Sequence, residues 1–296
     1  MNRKSFTSTQ PVGLILRVYS NKEEDIPDRV AMIEKAIKAA RQMVVEGIQL
    51  IKRIDILVWA DANYADSDCG GTAHAMRKAL HGEKGVYVSE IKNADIFCGI
   101  LNHGIMLQSM RGITYSIIAS SEAFSYMTPE TGEAMVDAAC KGARAIPVAI
   151  TELTQSILEG RGANTFMMWH NMSLMTAGGF DMKAAKPVNE RMAHYMRGWS
   201  DVKGDVYYML SGVEEIIPLI RMKYNMPNTP FIAPIIPAGE GVKAYIIPDP
   251  ATQPEAWARH YSKMGTKFER QCVMASCADA DLSVLKGAVM DEYRRF

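Results

Sequence analysis

The sequence predicts an α/β fold, a mainly parallel sheet with helices on both faces. Three observations predict it. Apolar runs of strand length alternate with amphipathic stretches of helix length through residue 150, the order that builds strand–helix–strand units. One of these runs, Ile54 to Ala60, is continuously apolar, as in a strand buried on both faces. It stops at a loop holding Asp61, Asn63, Asp66 and Asp68, and open α/β sheets bind ligands at that end of their strands.

The elements follow in order. Val12 to Tyr19 reads as the first strand, and Ser20 to Asp25 as a polar loop. A helix is expected over Pro27 to Val45, because Val30, Ile33, Ile37, Ala40 and Val44 recur at helical spacing. Asp25 is its candidate cap and Pro27 its first-turn proline. After the Ile54 strand, Thr72 to Leu80 reads as a helix ending near Gly82, and Gly85 to Ser89 as a short strand. A helix over His103 to Met110 closes at Gly112, with Asn102 as its cap. Ile113 to Ala119 is strand-like and ends in Ser120-Ser121-Glu122. Thr128-Pro129-Glu130 supplies cap, first-turn proline and acid in order, so a helix starts there and ends near Gly142. Arg144 to Ile150 and Ala163 to Trp169 are further strands, and Gly178-Gly179-Phe180-Asp181 is a turn. Prolines crowd Asn225 to Pro254, which predicts an extended segment, and the last forty residues read as helical.

Composition narrows the function. The 33 basic and 33 acidic residues cancel, which argues against general nucleic-acid or membrane-surface binding, since both need excess positive charge. No apolar run approaches the ~20 residues of a membrane helix, and Met1 to Gln10 has no apolar signal core. The cysteines, Cys69, Cys98, Cys140, Cys272 and Cys277, are odd in number and scattered, so a reduced, cytoplasmic protein is expected. Nothing completes a zinc set around Cys272 and Cys277. The phosphate-binding glycine loops of dinucleotide and P-loop enzymes are absent, as are Gly-x-Ser-x-Gly and His-Glu-x-x-His.

Four stretches then resemble, in order, the GT-A fold glycosyltransferases, in particular the large family-2 group. Leu16 to Glu24 is similar to that family's opening strand and Tyr-Asn-Glu-Glu loop. Ile54 to Asp68 is similar to its second strand and acidic loop. Gly178-Gly179-Phe180-Asp181 is like its Gly-Gly-Phe-Asp turn, and Glu214 to Arg221 like the segment that carries its catalytic base. The likeness spans about residues 12 to 221. It implies a GT-A-like domain over 1–225, with a mixed, mainly parallel sheet, and a C-terminal extension over 226–296 packed on it.

The resemblance also implies roles. Glu215 would be the general base that deprotonates an acceptor hydroxyl, giving inversion at the sugar carbon. Asp61 and Asn63 would bind the nucleotide, since a carboxylate accepts bonds from a ring N–H or ribose hydroxyls. Asn21 and Glu23 would line the same pocket, although a solvated loop and helix cap accounts for them equally. Asp66 and Asp68 read as turn formers before Gly70-Gly71. Ser211 to Glu214 fits a capping box, and Pro218, where the family has Leu, should kink a helix starting at Gly212.

The family's Asp-x-Asp, which holds a divalent metal, is replaced by Ser120-Ser121-Glu122. Glu122 is thus the candidate ligand for Mg²⁺ or Mn²⁺. Cations that would otherwise meet a departing diphosphate include Arg17, Arg111, Arg144, Arg161 and His170. Trp169, His170 and Asp181 are candidates for the acceptor or sugar, as is the Arg197-Gly198-Trp199 cluster. Both tryptophans are also explained as core residues. The helix after Asn102 would aim its N-terminus at the diphosphate. The expected partners are a nucleotide-sugar donor and a hydroxyl acceptor, with a homo-oligomer contact left open. The alternatives are a GT-A-like binding or assembly module without catalysis and, third, a sugar-phosphate nucleotidyltransferase.

Overall fold

The structure is a computed structural model that describes residues 1–59, 69–92, 96–149, 154–181, 213–237, 249–265 and 267–294. Its main sheet has six strands: β1 (Val12–Val18), β4 (Ile51–Trp59), β5 (Val86–Ile91), β6 (Tyr115–Ser120), β7 (Ala145–Pro147) and β8 (Phe166–His170), in the order β5-β4-β1-β6-β8-β7. The pairs β1–β4, β1–β6 and β4–β5 are parallel. β8 runs antiparallel between β6 and β7. The sheet is therefore mixed and mainly parallel, as the resemblance implied, with helices on both faces.

The pleat sorts each strand's residues between two cores. Leu14, Leu16, Ile54, Ile56 and Ile117 face a core completed by Ile33, Ile37 and Ala40 of α2 (Ile26–Gln42) and Met135 and Val136 of α6 (Pro129–Cys140). Ile15, Leu57, Ile118 and Trp169 face the other. That second core holds Leu101 and Ile105 of α4 (Ile96–Met110), Leu219 and Ile220 of α9 (Ile216–Asn225), and Val273 and Met274 of α11 (Lys267–Ser276). The remaining helices are α1 (Arg3–Thr9), α3 (Thr72–Ala79), α5 (Ser121–Ser125), α7 (Thr154–Leu158), α8 (Asn171–Thr176) and α10 (Pro254–Gly265).

A buried polar knot ties α4 to the sheet. Gln108 donates to Leu14 O and to Asp55 Oδ2, both at 3.0 Å, and accepts from Ser116 Oγ at 2.5 Å. Arg53 closes the knot with two 2.7 Å bonds to Asp55. Gly13 makes room for it, since a Cβ there would sit 2.3 Å from Gln108 Oε1.

Several expectations are corrected. α1 was not foreseen; Asn2 caps it by accepting from Ser5 N, and Arg3 is pinned to Asp137 and Glu133 of α6. α2 ends at Gln42, because Val44–Val45 (β2) turns through Glu46 and Gly47, both at positive φ, into Ile48–Gln49 (β3), the geometry of a two-residue hairpin. Asp25 makes no side-chain cap bond to α2. α4 starts at Ile96, so Asn102 lies inside the helix and caps nothing. α9 starts at Ile216, which puts Pro218 in the first turn, where a proline breaks no backbone bond and causes no kink. The last forty residues are helical only in part: after α11 come the 3₁₀ turns Leu282–Ala288 and Asp291–Tyr293.

Within the proline-dense segment, Phe231 to Ile235 runs parallel beside β7. Ala233 N donates to Ala145 O at 3.0 Å and Ile235 N to Pro147 O at 2.9 Å. Phe231 and Ile232 N–H groups also reach Ala288 O, so the C-terminal segments share the second core.

Candidate active site

The parallel strands β1, β4, β5 and β6 all point towards one edge of the sheet. The Asn21 and Glu23 side chains lie exposed on the loop after β1. Tyr19 meets Trp59 edge to face at 5.7 Å, and Ser20 O accepts from Cys69 N at 2.7 Å, so the loops after β1 and β4 are joined. Asp61, Asn63, Asp66 and Asp68 lie outside the described residues, as do Ser211, Gly212 and the Arg197-Gly198-Trp199 cluster.

At the end of β6, Ser120 is occupied as a helix cap. Its Oγ accepts from Ala123 N at 3.0 Å, starting α5. Glu122 is half-buried, and burial raises its carboxyl above the usual range against the pull of Arg29 and Lys35 on α2. Of the three residues that replace the Asp-x-Asp, Glu122 alone offers the carboxylate oxygens that a divalent cation wants. Among the described residues no group of three His, Cys, Asp or Glu side chains is arranged to hold a metal.

On the other face, three of the sequence stretches meet. Gly178 and Gly179 have φ of +88° and +67° and turn the chain out of α8. Asn102 grips this turn from inside α4: its Nδ2 donates to Phe180 O at 2.7 Å and its Oδ1 accepts from Phe180 N at 2.8 Å. The turn thereby presents Asp181 to Arg221 of α9, with which it forms an ion pair. Just before α9, Glu214 and Glu215 are both buried. Cys98, buried in α4, registers what surrounds it. Its thiol is pushed up first by burial, then by Glu214 and Asp181, is pulled down by Arg17, and is raised again by Glu215. Arg17 on β1 stands in register with Ser120. Tyr19, Phe180 and Ile216, from the first, third and fourth motif stretches, pack into the same core as Cys98.

Glu215 has no exposed surface, and neither carboxylate oxygen has a hydrogen-bond partner. Among the described residues its ion-pair partner is Lys267 of α11, with Nζ 3.8 Å from Oε1. Burial pushes the Glu215 carboxyl up to about 7; Lys267 opposes the rise and Glu214 adds to it. Burial likewise lowers Lys267, against the pull of Glu215, and lowers Arg270 against Glu214. Gln271 extends this polar layer to Arg161, which donates to its Oε1 at 3.0 Å. A cavity of about 360 Å³ opens beside the layer, lined by Glu159, Arg161, Phe268, Cys272, Ser283 and Lys286 among others. Glu159 pairs with both Arg161 and Lys286, so the cleft largely neutralises itself.

The acceptor candidates divide. Trp169 is wholly buried, donates Nε1 to Asn164 Oδ1 at 3.0 Å and packs edge to face on Phe180. His170 pairs with Tyr115 at the opposite end of the sheet, where its Nδ1 caps α8 by accepting from Ser173 N. Burial, with Arg144 nearby, lowers His170 to about 4. Only Asp181 of the three lies with Glu214 and Glu215.

Sequence reasoning missed Lys267, Arg270, Gln271 and the grip of Asn102. One signal was present. Lys267, Arg270, Gln271, Val273, Met274 and Ala275 are the buried residues of an amphipathic helix, and three of these six core-facing positions are polar.

No protein-family model matches the chain, and no curated protein matches it. Solved structures do. Glucosyl-3-phosphoglycerate synthase from Mycobacterium tuberculosis, in complex with Mn²⁺, uridine diphosphate and phosphoglyceric acid, is 10% identical over 98% of this chain and 82% of that one, with a TM-score of 0.49. A mannosyltransferase from Pyrobaculum calidifontis, in complex with GDP-Man and Mn²⁺, is 12% identical over 91% and 75%, with a TM-score of 0.41. A cytidylyltransferase from Leptospira borgpetersenii is 10% identical over 91% and 93%, with a TM-score of 0.43. These are likenesses of overall architecture. Among the described residues, no helix is long and apolar enough to cross a membrane.

Proposed function

We propose that this chain is a glycosyltransferase that moves a sugar from a nucleoside-diphosphate donor to an acceptor hydroxyl, with inversion at the sugar carbon. The observation that supports the reading is the shared packing of Tyr19, Phe180 and Ile216, from three separate motif stretches, in one core with Cys98, beside the Asp181–Arg221 ion pair.

In this reading Glu215 is the general base. A base works best when its pKa lies near the working pH, and burial raises Glu215 to about 7. Its oxygens carry no hydrogen bond, which leaves lone pairs for the acceptor's proton. The acceptor oxygen attacks the sugar carbon as its proton passes to Glu215, and the bond to the diphosphate breaks with its electron pair on the diphosphate. Asp61, Asn63, Asn21 and Glu23 bind the nucleotide in the loops after β4 and β1. Asp181 orients the acceptor or sugar beside the base. No step is routed through a metal, for which Glu122 is the candidate ligand.

Binding without transfer is the second reading, favoured by the capping role of Ser120. A thermal-shift screen with UDP, GDP, TDP and CDP, with and without Mg²⁺ or Mn²⁺, tests both. A nucleotide at a hundredfold its Kd should add ~2.7 kcal/mol. If none stabilises the protein, both readings fail. With a donor identified, Glu215→Gln should lower kcat about 10²–10⁴-fold while binding persists; a donor that binds but is never turned over favours the second reading.

A further inference from the structure

We propose that Lys267 is a positioning residue that holds the Glu215 carboxylate ionised, so that a C-terminal helix outside the family resemblance is part of the catalytic apparatus. The inference rests on Glu215 being the base of the proposed reaction.

The geometry is specific. The Lys267 side chain is 11% exposed and Glu215 wholly buried, with Nζ 3.8 Å from Oε1. At that separation the ammonium supplies charge without a hydrogen bond, and both Glu215 oxygens stay unpartnered. A buried carboxylate with neither a cation nor hydrogen bonds takes up a proton, and a protonated base cannot act. The other charges around the pair are Glu214 beside Glu215, Arg270 one turn along α11, Arg161 from the turn after α7, and Arg17, Cys98 and Asp181 from β1, α4 and the Gly-Gly turn. Glu214 works against ionisation of Glu215, and Lys267 is the largest influence in its favour. Arg270 is pulled upward chiefly by Glu214, with Glu215 the lesser influence, whereas Lys267 is pulled upward first by Glu215.

The test is a direct titration of Glu215 in the full-length protein with ¹³C-labelled glutamate carboxyls, the signal assigned by its loss in Glu215→Gln. The wild type should titrate near neutrality. Lys267→Met should raise the proton affinity of Glu215 at least tenfold, and Lys267→Arg should restore it. An unchanged midpoint in folded Lys267→Met overturns the proposal. So does a wild-type Glu215 still protonated at about pH 9, a result that needs no variant to fold. No nucleotide or acceptor enters this measurement, so its failure is distinct from failure of the transferase reading.

Discussion

At the scale of single residues, Glu215 and His170 pull stability in opposite directions with pH. Glu215 is raised from 4.5 to about 7. Between those values the folded protein keeps a proton that the unfolded chain has lost, so its contribution falls as pH rises. His170 is lowered from 6.5 to about 4. In that window the unfolded chain holds the extra proton, so its contribution grows with pH. Over pH 4.5–6.5 the two oppose each other. Glu215→Gln should therefore make stability rise more steeply with pH, and His170→Asn, which keeps a capping oxygen, should tilt it the other way. Urea midpoints at three pH values decide this; slopes that move together would refute it. Gln108→Leu should cost about 2–4 kcal/mol, because it strands Leu14 O, Ser116 and one contact of buried Asp55; an unchanged thermal midpoint would count against the knot. At this scale the acids were legible in the sequence, since motif residues sit in recognisable strings. Their cations were not, because Lys267 and Arg270 arrive from a helix distant in the chain.

At the scale of elements, the grip of α4 on the turn after α8 sets the position of Asp181. Asn102→Ala removes two part-buried hydrogen bonds and should cost about 1–3 kcal/mol. Gly179→Ala should be worse than an ordinary surface change, since φ is +67° and the new Cβ would lie 2.6 Å from Asn102 Oδ1. Melting temperatures of the two variants check both, and wild-type values would remove the grip from the account. Asn102 illustrates what pattern reading loses. Its type favours helix caps, so it drew the predicted start of α4 inward to itself, whereas its amide is spent on a tertiary contact. Ser120 misled in the opposite sense: as a lost metal ligand it looked like decay, and in the fold it starts α5. Thr128 needed no such correction, because Pro129 and Glu130 support the same start as its capping bond to Thr131 N.

At the scale of the whole molecule, the α/β alternation was legible because strands buried on both faces leave long apolar runs. The antiparallel direction of β8 was not, since an apolar run carries no sign of direction. A chain ending at residue 230 would lose Phe231, Ile232, Val273, Met274, Leu285 and Val289 from the second core. It should show no cooperative heat transition; a sharp one like that of the full chain would establish an independent N-terminal domain. The strand order has a further consequence, for synthesis. β7 pairs with β8 on one side and with Phe231–Ile235 on the other, and both follow it in the chain. On the ribosome, Ala145–Pro147 therefore emerges with two open edges. The first closes once Phe166–His170 is out, and the second waits until Phe231–Ile235 follows. Nascent chains within that interval present the unpaired backbone to which chaperones and neighbouring chains respond.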